Sequence, residues 1–185
     1  MAPRLDDAAR HLADALKALG VESPRLDGTP ARVAELWADL LGANDAEGDE
    51  PTPFPNPDPA SDAIVLAARL PFHAMCAHHL LPFFGRAHVA FLPSDRLVGF
   101  GAIARIVDQA ARKPTLQEDL AKDVADALER ALAPKGVAVL LEARHLCMEM
   151  RGARKRARME TALWRGAFES DEKRRGEFLV RIRNA

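Results

Sequence analysis

The chain has 185 residues, enough for one well-buried core and too few for two ordinary domains. Lys and Arg number 26 against 27 Asp and Glu, and the net charge of −1 argues against a nucleic-acid binder that works by neutralising phosphates. No apolar run approaches the roughly 20 residues that span a bilayer, no lipidation signal stands at either end, and no charged-then-apolar leader opens the chain, so the cytoplasm is the expected setting.

Residues 6–19 set Ala9, Leu12, Ala13, Leu16 and Leu19 near helical spacing, and Gly20 follows as a C-terminal cap would. Asp27-Gly28-Thr29-Pro30 reads as a turn, an N-cap Thr and a Pro at the first helical position, opening a helix through about Leu41 that stops at Gly42. Residues 43–60, rich in Asp, Glu and Pro, read as a flexible connection. Residues 1–60 are thus expected as a helical segment plus linker, and 61–185 as the domain that carries function. Strand-like composition follows at Ala63–Leu70 and Arg86–Leu92, the latter closed by Pro93-Ser94-Asp95. Two helices are expected over Ile103–Arg112 and Leu116–Leu132, then a long strand over Val137–Met150, a short one near Glu160–Trp164, and a last helix over Glu172–Arg183. Paired strands bracketing paired helices make the class α+β.

Both cysteines lie in histidine-containing clusters, Cys76-Ala77-His78-His79 and His145-Leu146-Cys147. Thiolate sulfur and imidazole nitrogen suit zinc, and a catalytic zinc keeps three protein ligands plus a water. Cys76, His79 and Cys147 meet that count. A single turn of chain brings Cys76 and His79 to one ion, while on a strand His145 and Cys147 would project from the same face. Cys147 would then bind metal while His145 transfers protons. Two alternatives stand beside this reading: a disulfide, which an intracellular chain normally avoids, and a closed structural zinc with His78 or His145 as fourth ligand.

The run from Cys76 through Ala90, followed by Leu92-Pro93, resembles the zinc-motif segment of the GTP cyclohydrolase I family. Thr29-Pro30-Ala31-Arg32-Val33, Ala104-Arg105-Ile106-Val107, Gln117-Glu118 and His145 through Gly152 resemble further family motifs in family order. The resemblance covers most of the chain from Gly20 onward. It implies a tunnelling fold, an antiparallel sheet with two helices on one side, assembled into a ring-shaped homodecamer with sites between subunits. It also implies a reaction of pterin biosynthesis: hydrolytic opening of the imidazole ring of GTP, release of C8 as formate, and reclosure to 7,8-dihydroneopterin triphosphate. Zinc held by Cys76, His79 and Cys147 would lower the pKa of water towards ~7. Proton transfer falls to His145 first and His78 second. Glu118 and Gln117 match the pair that reads the guanine edge, and Arg151, Arg105 and Arg32 the groups that receive the triphosphate.

The motifs also depart from the family pattern. Ala77 stands where the family usually has Glu, and Gly101-Ala102 replaces a Ser-Lys expected near the triphosphate. Thr115-Leu116-Gln117-Glu118 alters the Gln-x-Gln-Glu run, and the Thr-rich segment after Arg151-Gly152 is basic, with Arg154, Lys155, Arg156 and Arg158. These changes leave open a relative that acts on another guanine nucleotide or stops at a ring-opened formamidopyrimidine. They equally leave open a zinc-stabilised binding subunit without turnover.

Overall fold

Apolar residues at helical spacing in the first forty positions give two amphipathic helices, seen in a computed structural model that describes residues 3–42 and 51–185. The chain divides into two compact units, Met1–Gly48 and Asp49–Ala185. In the first, α1 (Leu5–Ala18) packs on α2 (Thr29–Leu40), whose buried residues are Ala34 and Ala38. Thr29 does not cap α2 as expected. Gly28 is the cap, in the left-handed region at φ 68°, and Thr29 is the first helical residue. The Thr29 hydroxyl instead accepts from the Arg32 guanidinium at 2.9 Å.

The second unit runs in chain order through β1 (Phe54–Pro55), β2 (Val65–Cys76), β3 (Pro82–Leu92), β4 (Arg96–Leu97), α3 (Phe100–Ala111), β5 (Pro114–Thr115) and α4 (Gln117–Leu132). It continues with β6 (Gly136–His145), α5 (Leu146–Glu149), β7 (Met159–Gly166), α6 (Ala167–Ser170) and α7 (Glu172–Asn184). The connection expected over 43–60 lies partly at 43–50, outside the described residues; within the rest of it, β1 pairs with β4. The main sheet has the order β5-β2-β3-β6-β7 and is antiparallel apart from the two-residue β5, which runs parallel to the end of β2. Among the described residues no helix is long and apolar enough to cross a membrane.

Alternation along the strands gives the sheet two faces. Phe83, Ala87, Val89 and Phe91 of β3, with Val137, Val139, Leu141 and Ala143 of β6, join Ile103, Ile106, Leu120, Val124 and Leu128 of α3 and α4 in the larger core. Ala90, Leu92, Ala138 and Leu140 point the other way and are covered by Phe168 of α6 and Phe178 of α7. Two helices on one side of an antiparallel sheet is the α+β arrangement expected; the short α5 and α6, and the covering of the second face, were not. Arg165 of β7 ties the sheet edge to α4 through Asp126 at 2.7 Å and through Glu129. Gly85 permits the closest strand approach: a Cβ there would stand 1.8 Å from the Glu142 carbonyl oxygen.

Two strand expectations need correction. β2 continues to Cys76 rather than stopping at Leu70, because its pairing with β3 runs on to Met75, β5 joins only at Met75 and Cys76, and the edge left open at Pro71 tolerates a residue without an N–H. β6 ends at His145 rather than Met150. Its pairing with β7 stops at Ala143 and with β3 at His145, and beyond that point no strand among the described residues extends the ladder.

Candidate functional site

Cys76 is the last residue of β2, and the chain reverses immediately after it. The amide of Leu80 donates to the Cys76 carbonyl at 2.8 Å, the Cys76 amide to Leu81 at 3.0 Å, and the Ala77 amide to Thr115 of β5 at 3.1 Å. Leu80 closes this turn at φ 49°, left-handed for a residue with a branched side chain. The turn brings His79 back beside Cys76. Across from it, Cys147 sits in the helical turn α5, so the same-face strand geometry expected for His145 and Cys147 does not hold. The two nevertheless line one cavity of ≈ 250 Å³ together with Gln117, Glu118, Met159 and Thr161. The bidentate pair of Arg144 with Glu149, at 2.9 and 2.6 Å, folds α5 back on the end of β6 and brings Cys147 round.

The Sγ atoms of Cys76 and Cys147 and a ring nitrogen of His79 lie within 4.8 Å of one another, close enough for one metal ion to touch all three. Both thiols are free rather than joined in a disulfide. Cys76 is buried, Cys147 half-buried and His79 exposed, so the donor set opens to solvent on the histidine side. Burial first, and then the Cys76 thiol beside it, push the Cys147 thiol above its usual range, against the pull of Arg151. Two adjacent sulfurs resist becoming thiolates without a cation between them, which is the donor chemistry a soft metal ion completes. Arg151 donates to Nε2 of His79.

His145 is fixed from two sides. Its ring stacks on Phe83 with centroids 4.8 Å apart and planes 3° from parallel, and its Nε2 lies 2.7 Å from Oε1 of Gln117. Gln117 is buried, and its amide nitrogen donates to the carbonyls of Leu141 at 3.0 Å and Met159 at 3.2 Å. Two carbonyl acceptors fix the amide orientation, so Oε1 is the acceptor and His145 carries its proton on Nε2. Burial lowers the pKa of His145, with Glu118 opposing. The purine-reading role expected of Gln117 meets a side chain already committed to the backbone and to His145. Neither the Gln117–His145 bond nor the Phe83 stack was anticipated, because both join residues far apart in sequence.

The remaining expected residues divide. Glu118 lines the cavity and is exposed at its rim. His78 is exposed, its ring edge-on to His79 with centroids 6.2 Å apart. Arg105 is exposed on α3 and does not line this cavity. Arg32 belongs to the first unit, where its guanidinium donates to the Asp27 carbonyl at 3.0 Å and to Thr29.

The family model for GTP cyclohydrolase I matches residues 8–183. The chain belongs to the GTP cyclohydrolase I family. It is 44% identical over 175 residues to the GTP cyclohydrolase 1 of Streptococcus thermophilus, covering 91% of this chain and 92% of that one. The GTP cyclohydrolase 1 of Deinococcus radiodurans is 41% identical over 183 residues, covering 90% of this chain and 79% of its own. The bifunctional protein FolKE of Lactococcus lactis is also 41% identical, over 182 residues, but this chain spans only 51% of its length. Among solved structures, the apo archaeosine synthase QueF-Like overlaps 57% of this chain and 96% of its own, with TM-score 0.46 and 18% identity. The family is one of hydrolases, and the cysteine and histidine cluster of this member is a group able to hold a metal.

Proposed function

We propose that this chain is a zinc-dependent GTP cyclohydrolase I, opening the guanine imidazole ring at C8, releasing formate and forming 7,8-dihydroneopterin triphosphate. The convergence of Cys76, His79 and Cys147 beside a hydrogen-bonded His145, in a member of this family, carries the reading. Sulfur at about 2.3 Å and nitrogen at about 2.0 Å around a tetrahedral zinc would sit roughly 3.5–3.8 Å apart, so the three side chains need close by little more than an ångström. Three protein ligands leave a position free, as a catalytic ion requires. When bound, zinc acts as a Lewis acid that makes water acidic near neutral pH.

The chain's own residues would supply the proton traffic and the orientation. With Nε2–H of His145 held on Gln117, Nδ1 is the nitrogen free to take and return a proton, and such a positioned group contributes about 10²–10⁴-fold. Gln117 therefore serves as a positioning residue rather than a reader of the purine. Glu118, an acceptor at the cavity rim, suits the donor edge of guanine at N1 and N2. His78 is a second proton-transfer candidate at the exposed side. Arg151, Arg105 and Arg32 are proposed for the triphosphate, and Arg151 adjoins the cluster through His79. A ring-shaped homodecamer with sites between subunits would let Arg105 and Arg32 serve a neighbouring copy. The outer edge of β7 and most of one edge of β2 carry no partner strand among the described residues, which supports joining of sheets between copies. In this reading residues 61–185 form the catalytic domain, residues 1–60 a helical segment and linker, and the setting is cytoplasmic.

The test is incubation of zinc-loaded protein with GTP, GDP, GMP and guanosine, following formate and pterin fluorescence. Formate and pterin from GTP are expected. Formate without pterin would show arrest at a formamidopyrimidine, activity confined to the shorter nucleotides would move the substrate, and no formate from any of them would overturn the enzyme reading.

A further inference from the structure

The sheet face turned away from α3 and α4 is apolar over only half its length. Past Leu140 the inward positions become charged, and Arg69, Arg86, Arg158 and Arg183 surround a cavity of ≈ 420 Å³ floored by His88 and Glu142. It lies on the opposite side of the sheet from the larger core, between the strands and α7.

His88 is the decisive residue. It is 3% exposed, and its Nδ1 accepts from the backbone N–H of Arg69 at 3.4 Å, so the neutral ring carries its proton on Nε2. Among the described residues that Nε2 is the buried side-chain nitrogen without a hydrogen-bond partner. Glu142 Oε2 is 3.6 Å away, beyond hydrogen-bonding reach. A buried donor left without an acceptor is unfavourable, and an oxygen brought into the cavity would relieve it. A bulge in β2 between Ala67 and Leu70 carries Arg69, at φ 58°, to the cavity wall beside this ring.

The guanidinium groups of Arg69, Arg86 and Arg183 make no hydrogen bond or ion pair among the described residues; Arg158 shares Glu142 at 3.4 Å. Four arginines against Glu142 and Glu160 leave a surplus of two positive charges around one volume. A single carboxylate on a neighbouring chain would offset only half of it. Guanidinium forks match tetrahedral oxyanions in bidentate fashion, and Leu140, Leu179 and Ile182 supply an apolar wall for an organic portion. We propose that this cavity binds a small, multiply charged oxyanion of the phosphate class, with Arg69, Arg86 and the Nε2–H of His88 as donors.

Glu160 borders both this cavity and the one beside His145, so the test must separate them. Isothermal titration of the full chain with pyrophosphate at low salt is compared across wild type, the double variant Arg69→Ala/Arg86→Ala, Arg151→Ala and Glu142→Gln, with thermal melts to establish folding. Binding should survive Arg151→Ala, weaken about tenfold or more in the double variant, and tighten in Glu142→Gln. Binding lost in Arg151→Ala but unchanged in the double variant would overturn the proposal by placing the ion at the other site. So would the absence of heat with folded wild-type protein. A change in assembly mass by light scattering in the double variant, at unchanged pyrophosphate affinity, would assign the arginines to a second copy and overturn it equally.

Discussion

The two faces of one sheet differ in how they end. On the helix-covered face the apolar core runs from Phe91 through Val89, Ala87 and Phe83 to Cys76 and His145, so the chemistry sits where a fully packed layer stops. On the opposite face packing ends halfway, at Leu140, and charged residues fill the rest. The polar groups on the first face are held: Gln117 has three partners and His145 has Phe83 and Gln117. On the second, His88 Nε2 and three guanidinium groups are left without partners among the described residues. Rigid, satisfied groups suit catalysis, where geometry must persist through a reaction, whereas unsatisfied ones suit a ligand that arrives and completes them.

The sharpest way to test the first face is to remove a donor. Cys147→Ser is expected to lose bound zinc by elemental analysis and to lower formate release by about 10³-fold or more, since the free site no longer activates water. Activity and zinc content near wild type would move the metal elsewhere. Next in size is Gly85→Ala, which attacks both faces at once: a methyl 1.8 Å from the Glu142 carbonyl forces β3 and β6 apart. A loss of roughly 2–4 kcal/mol in urea unfolding is expected, since the obstacle is backbone and cannot swing aside. Unchanged stability would mean that the strands have slack at this point.

Smaller still is the effect of freeing His145. Gln117→Ala should lower kcat about 10–100-fold with KM for GTP little changed, as the ring loses its fixed tautomer but the metal stays. Gln117→Asn is too short to restore the bond and should not rescue. If instead KM rises and kcat holds, Gln117 reads the purine after all and the contrast between held and free groups weakens.

Much of this contrast was legible in the sequence, and the remainder was hidden for definable reasons. The metal cluster could be read because the chain's two cysteines each lie beside histidine, an arrangement that ligand chemistry singles out. The long helices α3, α4 and α7 of the second unit were legible from spacing and capping; the four-residue α5 and α6 were not. The end of β6 was not, because Leu146-Cys147-Met148 keeps a strand-like composition, and what stops the strand is the loss of β7 after Ala143 and of β3 after His145, together with the Arg144–Glu149 pair. The His145–Gln117 bond joins residues 28 apart in sequence and so leaves no local signal. The second cavity was illegible for the same reason, since Arg69, Arg86, Arg158 and Arg183 converge only through the register of four strands and a helix. The basic run at Arg154–Arg158 drew notice, but only Arg158 within it reaches that cavity.

The smallest expected effect separates the faces by pH. Burial lowers the pKa of His88, Arg69 and Arg86 reinforce the shift, and Glu142 opposes it; Arg158, Arg183 and Glu160 share the same cavity. In the unfolded chain the ring titrates near its ordinary value of about 6.5, so between that value and the lowered folded one the unfolded state binds more protons. Stability is therefore full above about pH 6.5 and falls as acid is added, by no more than about 1.4 kcal/mol per pH unit for one proton. His145, lowered by burial against Glu118, contributes with the same sign. His88→Asn should consequently make the melting temperature less sensitive to pH between about 6.5 and 5 without flattening it, the remainder belonging to His145. A steeper dependence in the variant would mean that His88 is charged and paired with Glu142 in the folded protein. The cavity would then hold its own counterion and lack the free donor that distinguishes it from the satisfied site on the other face.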